Sequence, residues 1–362
     1  PSETSCINTQ YLFISRFTAV LASINQLTER EWEYTTRLAV TVKEVLTRLG
    51  ISEKDASELL DEYNLHYNMK ITEYDTKFLL KELFNDKRFS ELVFRKSPKM
   101  RKLLHGYLKR INFMKSHKIA IVDIGWRGII QDCLLYTFGN SVDFPEIYGY
   151  YLALNPPVIP SETKKKGLLY DYRNACPEEM SITFFREVLE LSCKAMHGTT
   201  IDYSQDQKGK ITPICKKESL NRQSETIINS NILQIQKGII DFSRDYLNYN
   251  KIYDNNPHEL KFVIIKLYEQ LISQPLNEHI EAVKHLIYDE DFGTGRTRSI
   301  IRNYKYLDFF KPKEFIRNFL ETPWREASLK ISRLSLINLL YYFTKRIVCF
   351  YRIIKNKNAK NN

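Results

Sequence analysis

The chain has 362 residues, 43% of them hydrophobic, and carries 54 Lys and Arg against 43 Asp and Glu for a net charge of +11. That much apolar material builds a substantial core, in one large domain or two, and excludes wholesale disorder. The basic excess favours anionic partners: phosphorylated substrates or an anionic membrane surface. No recognised DNA- or RNA-binding motif accompanies it, so no nucleic acid is expected as a partner. Cys6, Cys133, Cys176, Cys193, Cys215 and Cys349 are scattered without a CxxC pair. This argues against a zinc ribbon or a small disulfide scaffold and leaves reduced thiols in a cytoplasmic protein as the expectation. No apolar run reaches the roughly 18 residues that would span a bilayer. No signal peptide opens the chain. Its start without Met, on a polar lead into YLFIS, suggests a piece cut from a longer polypeptide.

In chain order, Tyr11–Ser15 reads as a first strand, followed by a helix through FTAVLASINQL. From Glu29 to about Met114 the pattern is helical. EREWEYTTRLAVTVKEVLTRLG has apolar residues three and four apart and stops at Gly50. Ser52 and Asp75 are candidate caps for the next two helices. Residues 29–114 are therefore expected as a helical insertion in an α/β core made of 1–28 and 115–215. IYGYYLAL and GLLYDY read as strands, and Ser181–Met196 as a helix. TTIDYSQDQKGKITPICK reads as a hairpin turning near Lys208-Gly209. Residues 216–332 are mainly helical, broken at NNPHE, SQPLNE and GTGR.

The central stretch is KIAIVDIGWRGIIQ, residues 118–131. Ile119–Val122 is a short, β-branched apolar run, as in a strand covered on both faces. Asp123 would end that strand, where open α/β sheets bind ligands. The spacing of Ile129, Ile130, Cys133 and Leu134 predicts a helix directly after Gly128. Gly125 and Gly128 allow backbone closed to other residues, and the helix start offers unpaired N–H groups to a phosphate. Arg127 adds a forked cation suited to phosphate oxygens. The plainer reading is an ordinary βα turn, with Trp126 as a lid on the core.

Three further stretches hold candidate chemistry. In YLFISR, Ser15 can cap a helix and Arg16 can bind an anion. In FREVLELSCKAMHG, Glu190 and His197 are seven apart and would share a helix face, Glu190 serving as a base if burial raised its pKa. A surface carboxylate and a histidine at a helix end are the plainer reading. DEDFGTGRT, with Asp289, Glu290 and Asp291, reads as an acidic turn between helices and lacks calcium-loop spacing. The final segment, residues 333–362, mixes Tyr and Phe with Lys and Arg and contains no acid. It reads either as a basic amphipathic helix in a membrane interface or as a docked last helix with a basic tail.

Taken together, YLFISRFTAV and IAIVDIGWRGIIQ resemble the type I phosphoribosyltransferase plan. Such members carry two adjacent acids and a threonine in the phosphate loop, where this chain has one acid and GWRG. The sequence more closely resembles the divergent phosphoribosyltransferase module found beside HAD-type phosphatase domains in bacterial polysaccharide gene clusters. YLFISR, VDIGWRGIIQ and ELSCKAMHG occur here in the order that module has them, across roughly residues 11–200. The resemblance implies an α/β, phosphoribosyltransferase-like parallel sheet core with a large helical insertion and a helical C-terminal region.

It also implies a glycosyltransferase that uses 5-phosphoribosyl 1-pyrophosphate (PRPP), with Mg²⁺ as cofactor. A ribofuranosyl phosphate would pass to a lipid-linked glycan acceptor in O-antigen or capsule biosynthesis. The enzyme would lie at the inner face of the bacterial cytoplasmic membrane, and a HAD-type phosphatase partner would remove the 5-phosphate. On this plan Ser15 and Arg16 serve the pyrophosphate, and Asp123 faces the ribose hydroxyls. Gly125, Trp126, Arg127 and Gly128 wrap the 5-phosphate, while Gln131 and His197 belong to the motifs that bind substrate. Glu190 is the candidate base, and Asp123 the second choice. Two alternatives stay open: a glycosyltransferase using a nucleotide-sugar donor, and a non-catalytic module that recruits a phosphatase.

Overall fold

The central motif lies in a three-stranded parallel sheet, with helices before and after it. A computed structural model describes residues 9–37, 39–71, 74–161, 163–216, 222–253, 256–289 and 297–358. The first part is helical: α1 (Arg16–Ser23), α2 (Glu29–Thr36), α3 (Val42–Arg48), α4 (Glu53–Glu62), α5 (Tyr74–Asn85) and α6 (Lys87–Arg110). The α/β part follows as β1 (Lys118–Trp126), α7 (Ile129–Phe138), β2 (Glu146–Leu154) and β3 (Lys164–Asp171). A 3₁₀ turn (Glu179–Thr183) and α8 (Arg186–Ser192) lead into an antiparallel hairpin, β4 (Thr200–Gln205) and β5 (Ile211–Cys215). Helices α9 (Arg222–Tyr253), α10 (Pro257–Ser273) and α11 (Asn277–Val283) come next, then a short hairpin of β6 (Ile287–Asp289) and β7 (Thr297–Ser299). The last elements are a 3₁₀ turn (Tyr306–Phe310), α12 (Pro312–Glu321), α13 (Arg325–Ile331) and α14 (Ser335–Asn358).

The α/β class, the strands β1 to β3 and the hairpin at Lys208-Gly209 agree with the sequence expectation. Several details do not. Tyr11–Ser15 is not a strand. Its backbone groups are taken by side chains instead: Phe13 N–H donates to the Tyr107 hydroxyl (2.9 Å), and Phe13 C=O accepts from the Tyr203 hydroxyl (2.8 Å). Strand β1 is not covered on both faces. The order β1-β2-β3 leaves it at an edge, and Val122 is 77% exposed while Ile119 and Ile121 pack on the core. It also runs three residues past Asp123, which pairs with Tyr151 inside the sheet.

The expected single helix to Gly50 is two. Thr41 caps α3, and the Arg48 guanidinium donates to the carbonyls of Thr35 and Arg37 (both 2.8 Å) at the end of α2. Ser52 caps α4 in a reciprocal box, as expected, but Asp75 falls inside the first turn of α5. Helix α8 ends at Ser192, so Glu190 and His197 do not share a helix face. The acidic turn is flanked by β6 and β7 rather than helices, and Glu290–Arg296 lie outside the described residues.

Two apolar clusters organise the packing. The first joins Val45, Leu49, Leu80, Phe89 and Leu104 of the helical block to Leu134, Ile147 and Tyr203. The expected insertion therefore shares one core with the sheet. The second gathers Ala153 and Tyr170, near the carboxyl ends of β2 and β3, with Phe185, Ile265, Ile272 and Trp324. Phe185 stacks on the fully buried Trp324 with ring centroids 4.6 Å apart. Removing either ring would forfeit about 2–3 kcal/mol of burial, before any cavity cost. Trp126 packs partly against this second cluster, which brings α8 to the glycine turn.

Candidate functional site

The turn after β1 owes its shape to two glycines. Gly125 has φ +124°, and a Cβ there would meet the Ala153 carbonyl oxygen at 2.4 Å. Gly128 has φ +68° and starts α7; a Cβ on it would meet Lys165 and the Tyr151 hydroxyl at 2.7 Å. An L-residue pays steric strain in this left-handed region, which glycine avoids. The peptide between Gly125 and Trp126 is cis. Gly128 offers no side chain to cap α7, and the N–H groups of a helix's first turn have no partner within the helix.

Below the turn the anchoring is dense. The Lys165 ammonium donates to the Arg127 carbonyl (3.1 Å) and pairs with Asp132 at 2.6 Å, both side chains being about nine-tenths buried. Ser161 and Thr163 also donate to Asp132, so this carboxylate is committed to holding the turn. Gln131 is 1% exposed; its amide donates to the Ile147 and Lys164 carbonyls (3.1 Å each) and accepts from Tyr151 (2.8 Å). Gln131, expected among the residues that bind substrate, ties α7 to β2 and β3 from the interior.

Glu190 is fixed from two sides. Trp126 donates its indole N–H to one carboxylate oxygen (2.5 Å), and the Tyr288 hydroxyl donates to the other. The carboxylate is thereby aimed at the glycine turn by a strand residue and by β6. Tyr288, which the sequence reading overlooked, has its phenol pushed up by burial and then by the Glu190 charge. Glu187, a turn earlier on α8, is also held above the ordinary carboxylate range, first by burial and partly by Glu190.

Burial raises the Asp123 pKa and outweighs the lowering effect of the Gly125 and Ile124 N–H groups and of the Arg16 cation, while the Glu190 charge adds to the rise. Ser15 caps α1 as expected, accepting from Thr18 N–H (3.1 Å), and its own proton goes to the Thr200 carbonyl (2.7 Å). Its hydroxyl is used up in fixing the start of α1, beside Arg16. His197 stacks on Phe13 at 4.7 Å, with Nδ1 2.9 Å from the Gly198 carbonyl oxygen.

Arg127 donates to the Pro156 carbonyl, and its surroundings are cationic. Burial, then Arg37, then Arg186 bring its pKa down to about 10. Tyr34, one turn before Arg37, packs in a cluster with Ile129 and Ile130, and Arg186 lies four residues before Glu190 on α8, where it pairs with Glu187 at 3.6 Å. Neither stood out in the sequence, since no motif marks them and only packing brings them to Arg127. The two further cations act on Arg127 with one sign.

Among the described residues no group of three His, Cys, Asp or Glu side chains could hold a metal by itself. A single carboxylate such as Asp123 fits a hard cation whose other ligands are phosphates and waters, the usual state of Mg²⁺ at diphosphates. No protein-family model matches the chain, and no curated protein matches it.

Proposed function

We propose that this protein is a PRPP-dependent glycosyltransferase, moving a 5-phosphoribofuranosyl group to a hydroxyl of a lipid-linked glycan and releasing pyrophosphate. The observation that carries the reading is the meeting of both charges at one glycine turn: Glu190 accepts from Trp126 of the turn itself, Asp123 lies two residues before Gly125, and Arg127 sits between the two glycines with Lys165 bonded to its carbonyl. A phosphorylated sugar calls for both, carboxylates for its hydroxyls and cations for its phosphate.

In the transfer, the acceptor oxygen forms a bond to the anomeric carbon as the bond to pyrophosphate breaks, with inversion from α-PRPP to a β-ribofuranoside. Glu190 takes the acceptor proton, held in position by Trp126 and Tyr288. Asp123 orients the ribose hydroxyls, and Arg16 faces the leaving pyrophosphate. Arg127 and its two neighbours grip the 5-phosphate together with the N–H groups at the start of α7. Mg²⁺, when bound, would travel on the diphosphate with Asp123 as its protein carboxylate, and would neutralise leaving-group charge. The product keeps its 5-phosphate, the substrate expected for a HAD-type phosphatase partner.

Helix α14 supports a peripheral position at an anionic membrane, the bacterial inner face in this reading. Its inner side docks on the body through Tyr341, 5.1 Å from Phe319, and through a 2.5 Å pair between Lys345 and Glu326. Its outer side exposes Leu336, Leu340, Phe343 and Ile347, each by more than half. Among the described residues no helix is long and apolar enough to cross a membrane. An apolar stripe on a segment without acids suits an anionic interface.

The test is ³¹P NMR of the protein with PRPP, Mg²⁺ and a panel of alkyl-tagged glycosides. Acceptor-dependent growth of pyrophosphate and a new phosphomonoester is the expected result. If PRPP fails to bind by calorimetry, the reading is wrong. Competition by a nucleotide sugar would transfer it to the alternative donor class.

A further inference from the structure

In the segment that leads into α1 stands an aromatic group that the transfer chemistry above leaves unused. Tyr11 is 56% exposed, although it sits edge-on to two rings, 4.8 Å from Phe13 and 4.9 Å from His197. Those two rings stack on each other at 4.7 Å. The base of the cluster is rigid: both backbone polar groups of Phe13 are hydrogen-bonded by Tyr107 and Tyr203, whose rings lie 5.1 Å apart. One residue further, Ile14 packs with Ile129 and Ile130 at the start of α7, so the segment runs alongside the glycine turn. Burial, the Cys215 thiol and the Asp123 charge all raise the Tyr11 phenol pKa, which agrees with its standing near that carboxylate.

We propose that Tyr11, backed by Phe13 and His197, is the stacking platform for a sugar ring of the acceptor. The electron-rich face of an aromatic ring attracts the weakly positive C–H face of a pyranose, and a ring already locked in place loses little entropy on binding. The Tyr11 hydroxyl and the nearby Asp123 carboxylate offer partners to the sugar hydroxyls, giving the site one apolar wall and a polar edge. A platform here would hold an acceptor sugar beside the glycine turn and leave the turn itself for phosphate. The assignment of the bound sugar as acceptor rests on the transferase reading; the binding of a sugar by Tyr11 does not.

Saturation-transfer NMR on the full chain tests it, with methyl and octyl glycosides of glucose, galactose, mannose, rhamnose and N-acetylglucosamine as probes. Uridine is run beside them, and PRPP binding is followed separately by ³¹P line width. The ring protons of at least one glycoside should be saturated. Tyr11→Ala and the volume-keeping Tyr11→Leu should weaken that glycoside about tenfold, whereas Tyr11→Trp keeps it. PRPP binding and the melting temperature should not move in any of the three. Three results would overturn the platform: no glycoside seen by the parent, unchanged binding in Tyr11→Leu, or uridine displacing the glycosides. A sugar bound through Tyr11 without PRPP binding would remove the transferase reading and leave the platform standing. PRPP binding without any glycoside would do the reverse.

Discussion

The two ends of the glycine turn differ in how they treat charge. At Asp123 the carboxylate is set among mixed signs, with Arg16 opposing and Glu190 reinforcing its reluctance to ionise. At Arg127 the nearby guanidiniums share one sign, and like charge adds to burial in loosening its proton. Arg186 is itself paired with Glu187 at 3.6 Å, so part of that field is already offset. Two residues four apart are thus both pushed toward the neutral form, one by burial among mixed charges and the other by burial among like ones.

The largest effect should come at the carboxylate that both Trp126 and Tyr288 hold. Glu190→Gln is expected to lower kcat by about 10²–10⁴-fold, with PRPP affinity unchanged by calorimetry. An equal loss of kcat in Asp123→Asn, rather than a raised KM, would erase the division between base and orienting group. At the other end, Arg127→Ala should weaken PRPP about ten- to a hundredfold, the worth of a charge-assisted hydrogen bond. If it changed kcat alone, the arginine side would not be a ground-state phosphate site.

The turn itself can be strained without touching either end. Gly128→Ala should cost about 1–2 kcal/mol in urea unfolding, from the left-handed backbone alone, and more if Lys165 and Tyr151 cannot yield. The smallest effect is one of sign. Since the folded state raises the pKa of Asp123, the fold loses stability as pH climbs from the ordinary Asp value, about 4, through the raised one. Asp123→Asn should therefore melt higher than the parent at pH 7, by about 2 °C, and the gap should close as pH falls to 4. A gap that widened on acidification would mean that Arg16 stabilises the ionised form instead.

Much of this was legible in the sequence, and the reasons are local. Gly125 and Gly128 announced a turn because only glycine suits that backbone, and Ser15 and Ser52 announced caps through side chains acting within three residues. The strand expected at Tyr11–Ser15 did not form, because a short apolar run is also what an extended segment shows when distant tyrosines take its hydrogen bonds. Gln131 looked like a loop ligand until the sheet lay beneath it. Arg37, Arg186 and Tyr288 were invisible for the same reason: each reaches the turn from another element, and nothing in its own neighbourhood records the meeting.

The hydrogen bond from Tyr288 to Glu190 has a bearing on modularity. The motifs that resemble a known module end near residue 200, yet the second tether of the carboxylate arrives from β6, and the Phe185 ring that leads into α8 rests on Trp324. The recognisable span is therefore not a portable cassette. Transplanted or trimmed at the hairpin of β4 and β5, it would carry every motif residue and still lack the wall against which Glu190 is set. The helical C-terminal half is part of the instrument, not its handle.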